Sequence, residues 1–321
     1  MKNLKKLIAT VVTLSVFSIS CESELFGPKN DINNTDSAKG SLSLSITDAP
    51  IDQGDVSAVF VTITEIKVDG KTFSGFKGPK TVNLLALQNG NTLELGKGDA
   101  AVDSYSTLTL VIDATKDEAQ NAPGCYITKT NGTKQALEIS GNGATEIDLK
   151  PKNFTINENA NTEIVMDFDL RKSIKSKNNG FAFVTLGELK SAVRAENKAA
   201  TGTLKGKIEN YSIAKSDVVV YVYKKGTFNS SKEINGQGSS DLKFANAITS
   251  TKTDGAGNFT LAYLPAGEYE VYCDKPDKNA LGLGLNTLLN IKSNVDLKSV
   301  GVNAGAQTNL SLSISLGGIL N

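Results

Sequence analysis

Histidine and tryptophan are absent from this chain of 321 residues, cysteine occurs three times, and aromatic residues make up only 6% of it. Without histidine there is no usual general base, no Ser-His-Asp or Cys-His pair, and almost no route to a histidine-containing zinc site. Without tryptophan, and with few other rings, stacked platforms for single-stranded nucleic acid and aromatic sugar subsites are both disfavoured. Excess charge of one sign is lacking too. The 34 basic residues balance 34 acidic ones, so no net field draws the chain to nucleic acid, and no nucleic-acid partner is expected. Three cysteines cannot staple a small disulfide scaffold. Cys21 ends the leader, and Cys125 and Cys273 read as isolated, partly buried thiols, one in each folded half. Pairing between those two in an oxidising compartment is the alternative.

What is present is globular usage, 39% hydrophobic and 21% charged, in a chain long enough for two compact domains with terminal extensions. Residues 1–20 begin with Lys2, Lys5 and Lys6 and continue as an apolar stretch from Leu7 to Ile19, broken by Thr and Ser, ending on the small residue Ser20. This is the pattern of a secretory signal. The apolar run is short and hydroxyl-rich for a bilayer span, and the polar segment from Glu22 onward carries no stop-transfer pattern.

Cys21 directly after Ser20 resembles the lipobox of bacterial lipoproteins. That resemblance implies an acylated (palmitate-bearing) thiol at the first residue left after cleavage. Ser18 stands where the pattern prefers Leu. A plain small-x-small cleavage site, Ser18-Ile19-Ser20, would cut the same bond and leave Cys21 free. Glu22 and Glu24 resemble the surface-export signal of Bacteroidetes lipoproteins, which implies an outer-membrane lipoprotein facing either the periplasm or the cell surface. Residues up to Lys39, with Pro28, Asn33 and Asn34, show no apolar periodicity and read as a disordered tether.

From Gly40 the pattern alternates, with Leu42, Leu44 and Ile46 on one face and Ser41, Ser43 and Ser45 on the other, as in a half-buried strand. Val59, Val61, Ile63, Ile66 and Val68 follow a turn-forming stretch. Thr107 to Ile112, Ala136 to Ile139, Thr145 to Leu149, Asn161 to Phe168 and Phe181 to Val184 are further strand candidates, with one helical turn near Leu84 to Gln88. Short strands punctuated by Gly, Asn and Asp predict a sandwich or barrel.

Four blocks then carry a resemblance: Thr47-Asp48-Ala49-Pro50, Ala58-Val59-Phe60-Val61-Thr62-Ile63, Val82 to Gly90, and Asp167-Phe168-Asp169-Leu170-Arg171-Lys172-Ser173-Ile174. In this order they look like a bacterial lipoprotein domain catalogued only as a domain of unknown function. The likeness implies a β-rich extracytoplasmic module and transfers no catalytic residue. Its usual closing strand is matched only loosely by Leu186 to Arg194.

The carboxylates of Asp48, Asp52, Asp55, Asp167 and Asp169 raise a calcium hypothesis, because hard oxygens on loops of exported β domains suit that ion. The competing reading has Asp48 capping its own turn at Pro50, with Asp167 and Asp169 outward on a strand and paired with Arg171 or Lys172. No D-x-[DN]-x-[DN]-G ligand series is present, so no cofactor is expected. A glycosidase pair would need these carboxylates to converge in a cleft.

After the polar stretch to Thr201, Gly202 to Ile208 and Val218 to Tyr223 read as strands. Asp254-Gly255-Ala256-Gly257-Asn258-Phe259 and Leu264-Pro265-Ala266-Gly267-Glu268-Tyr269 resemble the D-x-x-G-x-F and L-P-x-G-x-Y marks of the carboxypeptidase regulatory-like, prealbumin-type sandwich. In that family the motif is architectural and brings no peptidase activity. Asp254, Gly257, Pro265 and Gly267 would make turns, while Phe259 and Tyr269 would pack the core. A polar insert from Gly226 to Asp241 and a Leu/Gly-rich stretch from Ala280 to Ile291 depart from the pattern.

The expected architecture is all-β, with two β-sandwich domains in tandem after a signal peptide and disordered tether. Its boundaries are 1–20 signal peptide, 21–39 lipidated tether, 40–194 first sandwich, 195–201 linker and 202–321 regulatory-like sandwich. The expected role is that of a lipid-anchored cell-envelope protein, structural, adhesive or ligand-binding and not an enzyme. Its partners would be the membrane through Cys21 and an unidentified protein or glycan. A glycan-binding accessory protein, or a carboxylate-dependent glycan hydrolase, is the alternative.

Overall fold

The computed structural model describes residues 38–49, 54–139, 143–149, 151, 153–177, 180–214, 218–275 and 287–315. Cys21, Pro50 and Asp52, together with the leader and nearly all of the tether, lie outside the described residues. Residues 37–321 form one compact unit, built as two β-sandwiches in tandem. No helix among the described residues is long and apolar enough to cross a membrane.

In the first sandwich one sheet runs Leu93–Ala101, Lys39–Ala49, Asn161–Asp169, Val193–Asn197. The facing sheet is built around the long strand Val56–Val68, which pairs with Leu108–Asp113, Tyr126–Lys129 and Lys80–Asn83. Leu42, Leu44 and Ile46 from the first sheet meet Val59, Val61 and Ile63 from the second in one continuous core. Lys39–Ala49 is central rather than half-exposed. Its second face is covered where the Thr47 hydroxyl donates to the carbonyls of Leu87 and Asn91, at 3.0 and 2.7 Å. The helical turn expected near Leu84 is the 3-10 turn Leu84–Leu87, which supplies one of those carbonyls.

Two elements of this half were hidden in the sequence. Leu93–Ala101 contains Gly96 and Gly98, which weaken a strand reading; here glycine is required because another backbone comes close. A Cβ at Gly96 would stand 2.4 Å from the Gly75 carbonyl oxygen. The loosely matched closing segment is a helix, Leu186–Ala192, followed by the strand Val193–Asn197. Thr185 and Glu188 form a capping box that starts the helix, a signal present in the sequence. Residues 195–201, expected as a linker, are instead the end of that strand, a 3-10 turn (Lys198–Ala200) and the first residue of Thr201–Ile208.

The second sandwich has one sheet ordered Asn258–Pro265, Thr201–Ile208, Gln307–Ile314, Ile291–Ser293. The other runs Thr249–Lys252, Val219–Lys224, Gly267–Lys275, Thr287–Leu288. Leu204, Val220, Val222, Phe259, Leu261, Tyr269 and Val271 form its core. Gly257 adopts φ +85° at the turn, and a Cβ there would come within 2.8 Å of the Ile208 carbonyl oxygen. Asp254 takes the N–H groups of Ala256 and Asn258 on one oxygen, at 2.9 and 2.8 Å, and the Asn258 amide on the other, at 2.9 Å. This is turn chemistry. The Tyr269 hydroxyl donates to the Pro265 carbonyl across the turn that holds Gly267.

Val219–Lys224 is buried on both faces. The insert that begins at Gly226 folds back over Val219, Tyr221 and Tyr223, stacking Phe244 on Tyr221 at 4.2 Å between centroids. Glu233 in the insert is buried and takes hydrogen bonds from the Tyr223 hydroxyl at 2.7 Å and the Asn246 amide at 2.5 Å. Burial alone would raise its pKa, but these bonds hold the carboxyl below its ordinary value. Cys125 and Cys273 are separate buried thiols in the two cores, and burial pushes each up to about 12.

Candidate functional site

The parallel pairing of Lys39–Ala49 with Asn161–Asp169 sets Thr47 opposite Asp167, Asp48 opposite Phe168 and Ala49 opposite Asp169. Asp48, Asp167 and Asp169 therefore do converge, at the end of two adjacent strands, and all three are buried. Asp48 accepts from the Leu170 N–H at 3.3 Å, and the turn at Pro50 that it was expected to cap lies outside the described residues. One part of the sequence reading is corrected. Asp167 and Asp169 do not face solvent, because the second sandwich and the basic residues beside it cover them.

Those basic residues join the two halves. Arg194, the cross-strand partner of Asp167, donates to its carboxylate through Nε at 2.9 Å, and its terminal nitrogen lies 2.8 Å away. The same guanidinium reaches the second sandwich, donating to the carbonyls of Tyr263 at 2.7 Å and Ala262 at 3.4 Å. Val193–Asn197 and Asn258–Pro265 are both edge strands, so Arg194 occupies carbonyls that an open sheet edge would leave unpaired.

Asp169 caps the short helix Leu170–Ser173 by accepting from the Lys172 N–H at 3.1 Å. Its carboxylate lies 3.9 Å from the Arg171 guanidinium and 3.6 Å from the Lys172 ammonium. Arg171 then donates to the carbonyls of Lys243 at 2.7 Å and Phe244 at 3.1 Å, with its guanidinium 5.1 Å from the Tyr221 ring centroid. Lys172 donates to the Ala247 carbonyl at 2.5 Å. A further tie comes from Glu188, whose carboxylate accepts from the Ser239 N–H and hydroxyl at 3.1 and 2.8 Å. These bonds and those from Thr185 hold its pKa at about 2.

Asp167 and Asp169 thus face three cations, with Asp48 buried beside them. Burial raises the Asp48 pKa well above the ordinary carboxylate range, and the charges of Asp167 and Asp169 raise it further. Burial also lowers the Lys172 ammonium, against the pull of Asp169. Calcium takes six to eight oxygens, whereas here one oxygen each of Asp48, Asp167 and Asp169 is already engaged by a backbone N–H or a guanidinium. Among the described residues no group of three acidic, histidine or cysteine side chains is placed to hold a metal ion. Asp55 lies apart, 3.0 Å from the Lys129 ammonium.

Two clefts open where the sandwiches meet. The larger, about 730 Å³, is floored by Lys172 and Arg194 and walled by Glu188 and Asn246. The smaller, about 410 Å³, lies between the Asn89-Gly90 turn of the first sandwich and the outer face of the Thr201–Ile208 sheet. Neither is legible in the sequence, because each needs residues from both halves.

Residues 39–184 match the family described as Domain of unknown function (DUF4382). A search of curated proteins found no match to the chain. Among solved structures, the chain is similar to the Bacillus anthracis TIE protein at 12% identity and TM-score 0.21, over 86% of this chain and 34% of that one. It thus spans about a third of that protein's length. It is similar to BcpA, the major pilin subunit of Bacillus cereus, at 10% identity and TM-score 0.19, over 86% of this chain and 71% of that one. The minor pilin of Streptococcus agalactiae aligns at 11% identity and TM-score 0.20, over 87% and 98%.

Proposed function

We propose that this chain is an exported lipoprotein, acylated at Cys21 and held at the outer membrane, whose two sandwiches act as one non-catalytic structural or adhesive body. The observation that carries this reading is the use made of Arg171, Lys172 and Arg194. An enzyme of this composition would have to work with carboxylates, and Asp167 and Asp169 hold the cations that fasten one sandwich to the carbonyls of the next. The leader and its cysteine supply the anchor in this reading. The Asp254 turn and the Tyr269 contact support a regulatory-like second sandwich acting as spacer. The partners are then the membrane through Cys21 and a protein or glycan of the envelope, with no nucleic acid and no catalytic cofactor.

Cells expressing the native gene and fed a clickable fatty acid should yield a labelled, membrane-associated product, and the Cys21→Ala variant an unlabelled, soluble one. Equal, unlabelled, soluble product from both genes would end the anchored reading. Release of reducing sugar from envelope polysaccharide by the full chain, abolished by Asp167→Asn, would restore the hydrolase alternative.

A ligand-binding role has one specific observation in its favour, which is the chemistry of the smaller cleft.

A further inference from the structure

The two clefts differ in what they leave free. In the larger one Lys172 is held by Ala247 and Asp169, Arg194 by Asp167 and Tyr263, Glu188 by Ser239 and Thr185, and Asn246 by Glu233. These four side chains are occupied by the protein itself.

The smaller cleft is lined by donors with nothing to bind. Thr203 and Lys205 alternate with the core residue Leu204, so both project from the outer face of the sheet. Thr260 is the direct cross-strand partner of Lys205, on the neighbouring edge strand. The Lys205 ammonium and the hydroxyls of Thr203 and Thr260 make no hydrogen bond among the described residues. Asn89 accepts from the Thr251 hydroxyl at 2.9 Å through its carbonyl oxygen and keeps its amide N–H pair unused.

The ionisable side chains lining this cleft, besides Tyr263, are Lys198 and Lys205, and no carboxylate lines it. Lys198 is partly neutralised from outside by Glu163 at 2.6 Å, which leaves Lys205 as the unpaired charge.

The backbone is shaped around the same place. The pairing of Thr201–Ile208 with Asn258–Pro265 shifts register between Gly202 and Leu204. Tyr263 opposite that shift has φ +55°, a left-handed conformation costly for a residue with a side chain. Its hydroxyl donates to the Gly90 carbonyl at 3.0 Å, which fixes the ring at the cleft wall. Register shifts and strained residues of this kind re-aim side chains and collect at ligand sites.

We infer that this cleft binds an anionic saccharide, with its carboxylate or sulfate on Lys205 and its hydroxyls on Thr203, Thr260 and the Asn89 amide. A bare oxyanion would leave most of a volume of about 410 Å³ unfilled, and hydroxyl and amide donors around one ammonium match a polyol that carries one acid group. The inference deepens the ligand-binding arm of the reading above and does not depend on the lipid.

Equilibrium dialysis of the full chain against a galacturonic acid trimer, a sulfated disaccharide, a neutral galactose trimer and sodium sulfate tests it. At least one acidic saccharide should bind, the neutral trimer far more weakly, and sulfate alone only weakly; which acid binds identifies carboxylate or sulfate as the natural group. Lys205→Ala should weaken binding by roughly tenfold or more, the loss expected on removing one charged hydrogen-bond partner. Lys205→Arg should largely preserve binding, and Lys224→Ala at the other cleft should leave it unchanged. Because Lys205 is exposed, an unchanged melting midpoint shows that its variants fold. The inference falls if neither acidic saccharide is retained, if the neutral trimer or sulfate binds as tightly, or if Lys205→Ala binds like the parent. A soluble, unlabelled Cys21→Ala product would bear on the anchor and not on this site.

Discussion

Burial takes the Asp48 carboxyl out of water, Asp167 and Asp169 stand beside it, and the Leu170 N–H is the donor that faces it. Its pKa is raised on folding, so the folded chain holds a proton there that the unfolded chain releases once pH passes the ordinary value. The contribution of Asp48 to stability is therefore intact below that value and fades as pH rises toward the folded one. Asp48→Asn should melt higher than the parent near pH 7, with the gap closing as pH falls to about 4, the ordinary carboxylate range. Melting curves at both pH values decide it, and a gap that stays constant would contradict the assignment. Glu188 works in the opposite sense. Its pKa of about 2 lies below the ordinary value, so its support is present at neutral pH and disappears only in strong acid.

Arg171 presents a different balance. The guanidinium is buried on two carbonyls and a ring, so Arg171→Ala should cost about 3–5 kcal/mol in denaturant unfolding. Arg171→Lys should recover only part of that, because an ammonium lacks the planar fork. The sequence showed that Asp169 and Arg171 were close enough to pair. It did not show that both were buried, because the covering surface is more than seventy residues away, at Lys243 and Phe244.

At the scale of elements, the regular strands were legible wherever side chains alternated. Thr145 to Leu149 and Asn161 to Phe168 lie within the strands Ala144–Leu149 and Asn161–Asp169. The pattern failed where a backbone contact, not a side chain, decided the residue. Leu93–Ala101 carries two glycines because the Gly75 backbone crosses it, and one sequence offers no trace of that crossing. Gly96→Ala should lose about 1–3 kcal/mol through overpacking, whereas Gly54→Ala, with open space around its Cβ, should lose little. Chemical denaturation of the two variants makes the comparison. The polar insert after Gly226, a departure from the motif, leads into a segment that packs over Tyr221 and Tyr223. Its buried apolar residue, Phe244, lies just beyond the polar run.

For the molecule as a whole, two tandem sandwiches were expected, and two are present within one compact unit. What the sequence hid was their junction, because Arg171, Lys172 and Arg194 each reach a backbone carbonyl of the other half, and carbonyls carry no residue signature. Calorimetry of the full chain should show one cooperative transition. The combined Arg171→Ala, Lys172→Ala, Arg194→Ala variant should resolve into two, since it removes the three cationic ties while leaving both cores untouched. A single transition in that variant would mean that the remaining contacts, Glu188 with Ser239 among them, suffice to couple the halves.

The pairing of Lys39–Ala49 with Asn161–Asp169 also sets an order of events. Ser41 and Asn161 are 120 positions apart, so the first strand has no parallel neighbour until most of its domain has been made. Thr201–Ile208 waits in the same way for Gln307–Ile314. Such long-range closure is slow, and during the delay each early strand exposes its hydrogen-bonding edge to whatever else is newly arrived. Holding chaperones should therefore associate with truncated products ending before residue 161 far more than with products extending past Asn197.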